Sequence, residues 1–180
     1  MLDEPLYAHY LKVTGAARPY TAEVMASQNS DGDHVVAWQL MRPPEGKQIL
    51  YAKHIAKQRI GLRKGAEMLQ NGKHFILIRN PHEILMSFNS VLPATLHETC
   101  FPALVEIFSE LRALNNGVAP AIVDSYDIRR DPEGVLSALC HRLGVPFTPD
   151  MLSWEAGPRP YDGVWAPWWY ATTHKCTGVP

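Results

Sequence analysis

Cysteine is scarce in this sequence: three residues in 180, Cys100, Cys140 and Cys176. An odd, widely spaced set excludes a disulfide framework, and none of the spacings suits a metal site. Cys140 falls among Leu136, Leu139 and Leu143 at helical spacing, which assigns it to a core. Long apolar runs are also missing, and the first residues lack the order of a signal peptide. The expectation is a cytoplasmic protein with no membrane partner. Neither sign of charge dominates: 17 Lys and Arg against 18 Asp and Glu leave a formal net charge of -1. That balance excludes a general attraction to nucleic acid. Internal repeats and low-complexity tracts are absent.

What is present suits a globular chain, with 46% hydrophobic and 19% charged residues. The length fits one domain over residues 1–180. Of the 15 prolines several cluster after Pro146 and make 145–180 an irregular, Pro- and Trp-rich segment. A basic run, Lys53, Lys57, Arg59, Arg63 and Lys64, is either a solvated helix face or a polyanion site.

Periodicity predicts helices over 5–11, stopping near Gly15, over 21–28 with Thr21 as N-cap, and over 33–41. Pro43-Pro44-Glu45-Gly46 reads as a loop. A strand is expected over 49–54, then a helix over 55–70 ending in a left-handed cap at Asn71-Gly72. A longer helix is expected over 95–115, with Leu104, Ile107, Phe108 and Leu111 on one stripe. A strand over 121–124 and a helix from Pro132, capped by Asp131, follow. Strands alternating with helices imply an α/β fold, a parallel sheet covered by helices. One sheet with right-handed crossovers would bring Lys53, His54, Arg79, Asp124 and Asp127 to one edge.

The most informative stretch is Phe75-Ile76-Leu77-Ile78-Arg79-Asn80-Pro81-His82-Glu83-Ile84-Leu85-Met86-Ser87. Four apolar residues suit a strand buried on both faces, and Asn80-Pro81 turns the chain into a helix. Arg79 then stands at a strand's carboxyl end, where open α/β sheets bind ligands. A guanidinium forked onto phosphate oxygens and supported by the Ser87 hydroxyl makes an anion site. The alternative is that Arg79 pairs with Asp124 or Asp127, with Ser87 a small packing residue.

This spacing resembles the segment with which sulfotransferases hold the 3'-phosphate of PAPS, 3'-phosphoadenosine 5'-phosphosulfate: an Arg at a strand end and a Ser eight positions on. Asp3-Glu4-Pro5-Leu6-Tyr7-Ala8, Tyr51-Ala52-Lys53-His54, Asp131-Pro132-Glu133-Gly134-Val135-Leu136, Met151-Leu152-Ser153-Trp154 and Asp162-Gly163-Val164-Trp165-Ala166-Pro167-Trp168-Trp169-Tyr170 are similar, in order, to a bacterial sulfotransferase-like group. The resemblance implies a three-layer domain of the P-loop NTPase type, PAPS as cofactor and a small-molecule acceptor. It implies Arg79 and Ser87 as cofactor ligands, His54 as acceptor base and Lys53 as stabiliser of the leaving phosphate. It also implies Asp3 and Glu4 in the acceptor pocket, with a helix-dipole role for these two as the alternative.

The sequence departs from the family in two places. The family separates its Lys and His by one residue, whereas Lys53 and His54 are adjacent. No Gly/Ser/Thr-rich loop of the kind that wraps the 5'-phosphosulfate precedes Asp3, and no G-x-x-x-x-G-K-[ST] run occurs. The expectation is a sulfotransferase-like domain without its first strand and phosphate loop. Two other readings stay open: a non-catalytic nucleotide- or anion-binding protein, and a homodimeric interaction module paired through a sheet edge. Trp154, Trp165, Trp168, Trp169 and Tyr170 either stack on a ligand or pack the tail.

Overall fold

Two short parallel ladders, each closed by a helical crossover, organise the chain. The computed structural model describes residues 1–40, 43, 45–93 and 95–179. The chain divides into two compact units, Met1–Gly72 with Arg159–Pro167, and Lys73–Pro158 with Trp168–Pro180.

In the first unit β1 (Leu2–Asp3) pairs with β2 (Ala52–Lys53), Asp3 opposite Lys53. The ladder ends there because Glu4 turns to a left-handed backbone, φ 44°, and Pro5 has no N–H to offer. Helix α1 (Tyr7–Thr14) stops at Gly15, whose φ of 64° suits a residue without Cβ. Helices α2 (Thr21–Ser27) and α3 (Gly32–Val35) follow, the latter continuing into a π turn over Val36–Leu40. A 3₁₀ turn (Ala56–Arg59) and α4 (Gly65–Gln70) follow β2.

The core of this unit is aromatic and aliphatic: Leu6, Tyr7, Tyr10, Leu11, Tyr20, Val24, Val35, Val36 and Trp165 are all buried. Trp165 meets Tyr7 edge-on at 5.1 Å. The Tyr7 and Tyr20 hydroxyls share a 2.9 Å hydrogen bond, which satisfies two phenols that burial would otherwise penalise. Burial, reinforced by Tyr20, pushes the Tyr7 phenol well above its ordinary pKa. Gly32 lets α3 approach α1 closely, since a Cβ there would run into the His9 ring and Leu62. His9 Nδ1 accepts from the Gly32 N–H at 3.2 Å, so Nε2 carries the proton given to the Ile60 carbonyl at 2.8 Å.

In the second unit β3 (Phe75–Ile78) and β4 (Ala121–Asp124) run parallel in full register, Phe75 opposite Ala121 and Ile78 opposite Asp124. Between them lie α5 (Pro81–Asn89) and α6 (Phe101–Leu114). Asn80 caps α5 by accepting from the His82 N–H, and Pro81 occupies the first turn, where its missing N–H costs nothing. After β4 come α7 (Ser125–Arg130), capped by Asp124, and α8 (Pro132–Leu143), capped by Asp131 and ended by Gly144. Ile76, Leu111, Val123 and Cys140, one each from β3, α6, β4 and α8, are buried. A short helix α9 (Ala166–Trp169) and a 3₁₀ turn (Thr173–Lys175) lie in the C-terminal stretch.

The α/β class and parallel pairing hold, but the single sheet expected from the sequence is two separate two-stranded pairs among the described residues. The helix expected over 55–70 is broken. Gly61 takes φ 73°, and the Asp33 carboxylate captures the N–H groups of Arg63 and Lys64 at 3.0 and 2.9 Å, drawing them away from a helical ladder. Asn71 is not left-handed, with φ -106°. Thr21 is the first residue of α2 rather than its cap, and its hydroxyl bonds the Arg18 carbonyl. Helix α6 starts at Phe101, not at 95, because Cys100 sits at φ 64° and Pro102 fits only a first turn. Met41 and Pro44, part of an expected helix end and loop, lie outside the described residues.

Candidate functional site

The carboxyl edge of the β3–β4 pair carries Arg79, the residue after β3, beside the amino end of α5. Arg79 is exposed, and its Nε donates to Glu83 Oε2 at 2.7 Å, one turn into the helix. Among the described residues that nitrogen alone has a protein partner in the guanidinium, so both terminal nitrogens are open to a ligand. The pairing with Asp124 or Asp127 weighed above is not formed. Asp124 instead accepts from the Tyr126 N–H at 2.9 Å as the cap of α7. Ser87 is exposed and lies one turn beyond Glu83, on the same face of α5. Arg79, just ahead of the α5 cap, is thus tied through Glu83 to the face of α5 that carries Ser87.

Arg129, in the last turn of α7, reaches the same carboxylate: its Nη2 lies 3.2 Å from Glu83 Oε2 and 3.3 Å from Oε1. The Arg79 hydrogen bond first, then the charge and hydrogen bond of Arg129, hold the Glu83 carboxyl below its usual range. Two guanidiniums against one carboxylate leave a surplus positive charge beside a helix amino end. Sequence reasoning assigned no role to Glu83 in the site and missed Arg129. The four-residue step from Arg79 to Glu83 was readable as an ion pair, but nothing in the sequence ties Arg129 to either.

In the first unit Lys53, Asp3 and Glu4 come together. Lys53 Nζ lies 2.9 Å from Asp3 Oδ1 and 2.8 Å from Glu4 Oε1, with side chains 33%, 2% and 9% exposed. Glu4 Oε2 also accepts from Gln58 Nε2 at 2.7 Å, and Asp3 Oδ2 from the Gly163 N–H at 3.3 Å. Both carboxylates are therefore inward, hydrogen-bonded and ion-paired with Lys53, as buried charges must be compensated. The left-handed backbone of Glu4 is the kind of local strain that concentrates at functional positions. Asp3 also lines a cleft of about 330 Å³ with Pro5, Gln28, Tyr161, Asp162 and Trp165. His54 follows β2 and is exposed.

The basic run is not one patch. Lys57 is buried with its ammonium 5.5 Å from the Tyr10 ring centre, Arg63 is held by Asp33, and Lys64 by Glu67 at 2.7 Å. The C-terminal aromatics divide as well. Trp165 is core, Trp169 packs on Phe88 at 5.5 Å, and Trp154 and Trp168 remain substantially exposed. Among the described residues no three His, Cys, Asp or Glu side chains gather as a metal site. Nor is any helix there long and apolar enough to cross a membrane.

Comparison with known proteins gives two kinds of match. A family model described as a sulfotransferase domain matches residues 1–180. Two Arabidopsis thaliana proteins are similar: branched-chain-amino-acid aminotransferase-like protein 2, 49% identical over 178 residues, and protein 1 of the same name, 47% identical over 179. Each alignment covers 99% of this chain, which spans 31% of the length of either relative. No solved structure matches.

Proposed function

The chain belongs to the sulfotransferase domain family, and from that premise we propose that it transfers a sulfuryl group from PAPS to a hydroxyl or amine of a small-molecule acceptor. The aminotransferase wording in the relatives' names forms no part of this proposal, because the sulfotransferase match spans residues 1–180 while the chain is 31% of either relative.

The observation that carries the reading is Arg79 at the end of β3, bonded to Glu83 on the face of α5 that also carries Ser87. Arg79 offers two unbonded terminal nitrogens and Ser87 an exposed hydroxyl, at the edge where α/β folds take ligands. A phosphate dianion fits that donor set, since a guanidinium forks onto two oxygens and a hydroxyl donates to a third. PAPS, when bound, supplies the activated sulfuryl group. In the proposal Arg79 and Ser87 grip its 3'-phosphate; the roles of His54, taking the acceptor's proton, and of Lys53, offsetting charge on the leaving phosphate, rest on the family resemblance. The acceptor lies in the cleft beside Asp3, and the protein works in the cytoplasm.

The test is transfer of labelled sulfate from PAPS to a panel of small alcohols and amines. The expected result is label on an acceptor, with His54→Ala slower by about 100-fold. Wild-type protein that binds adenosine 3',5'-bisphosphate but labels no acceptor would support a second reading instead. That reading is a non-catalytic nucleotide-binding protein, and one observation favours it: Lys53 is already ion-paired with Asp3 and Glu4.

A further inference from the structure

We propose that Arg129 is a second guanidinium of the 3'-phosphate site, and that Glu83 is the positioning residue holding Arg129 and Arg79 together. The inference rests on the reading of Arg79 given above and adds two residues to it. Arg129 comes from α7, 46 residues away from Glu83 in sequence, yet its Nη2 lies 3.2 Å from the oxygen that Arg79 Nε bonds at 2.7 Å. Two cations within reach of one carboxylate oxygen repel each other and stay only because the carboxylate lies between them.

The donors left over point to the ligand. Arg79 keeps both terminal nitrogens, and Arg129 keeps Nε and Nη1, with no protein partner among the described residues. The three side chains are 42%, 32% and 37% exposed for Arg79, Arg129 and Glu83, so a solute reaches them without rearrangement. With a net charge of +1 after pairing, the trio attracts an anion. A phosphomonoester is the chemistry that matches, being doubly charged and rich in acceptor oxygens.

Glu83 therefore acts through the arginines and touches no ligand. Its carboxylate fixes each guanidinium by one edge, which limits the rotamer freedom lost when the phosphate arrives.

Phosphorus NMR of adenosine 3',5'-bisphosphate titrated with the whole chain separates the two phosphates and works for weak as well as tight binding. The 3'-phosphorus is expected to shift with wild-type protein. With Arg129→Gln its apparent affinity should fall by about 10-fold or more. Arg129→Lys, which keeps charge and loses the fork, should fall between. Glu83→Gln should weaken the 3' interaction while Glu83→Asp restores part of it, and adenosine 5'-monophosphate binding should not change in any variant. Far-ultraviolet circular dichroism confirms that each variant folds. A normal 3' shift and affinity in Arg129→Gln and Arg129→Lys overturns the role of Arg129 and leaves that of Arg79 standing. No 3' shift with wild-type protein overturns both.

Discussion

Lys53 is asked to do two things, and its surroundings separate them. It sits between Asp3 and Glu4, both buried, at 2.9 and 2.8 Å. Removing the ammonium takes a close ion-pair partner from two adjacent buried carboxylates, so Lys53→Met should cost on the order of 3 kcal/mol of stability in urea melts. Lys53→Arg should recover most of it. A stable Lys53→Met protein would mean that the pair is solvated and the burial immaterial. Asp33 gives a second residue-scale test. The Lys64 N–H first, then Arg63, holds its carboxyl below the ordinary range. A depressed folded pKa contributes stability that is complete above the unfolded value, about 3.9, and fades as pH falls through the folded one. The gap in melting temperature between wild type and Asp33→Asn should thus be level from neutral pH to about pH 5 and close below about pH 4. A gap that widened on acidification would contradict the clamp.

Elements whose determinants are local were legible in the sequence. Helix α5 has its cap and proline adjacent, α8 has Asp131 before and Gly144 after, and β3 and β4 are apolar tetrads between polar turns. Elements decided at a distance were not. The helix expected across 55–70 breaks because Asp33, thirty residues upstream of Arg63, takes backbone donors the helix needed. The strand expected over 49–54 is only two residues, Ala52–Lys53, and Glu4 and Pro5 end its partner on the carboxyl side. The same division runs through the candidate site. Arg79 and Ser87 could be read from spacing, whereas Arg129 arrives at Glu83 from another helix with no signal in sequence. Asn80 offers the element-scale check: Asn80→Ala removes the acceptor for the His82 N–H, 2.9 Å away, and should cost about 1 kcal/mol. An unchanged melt would show that α5 starts without its cap.

The two units bury their apolar residues unequally. The first buries the amino-terminal five residues of α1, Tyr7 to Leu11, whereas α5 in the second buries no residue. Amide exchange should follow this order, slower in α1 than in α5. Equal protection of the two would contradict it. A lightly held α5 matters because it carries Ser87 and Glu83, and a ligand gripping its amino end would order it. The most direct test of the whole account is the affinity of adenosine 3',5'-bisphosphate relative to adenosine 5'-monophosphate, measured calorimetrically for wild type and Arg79→Gln. The account predicts that wild type prefers the bisphosphate and that the variant loses most of that preference, Arg129 and Ser87 retaining the rest. Equal affinities in the wild type, or an undiminished preference in the variant, would contradict it.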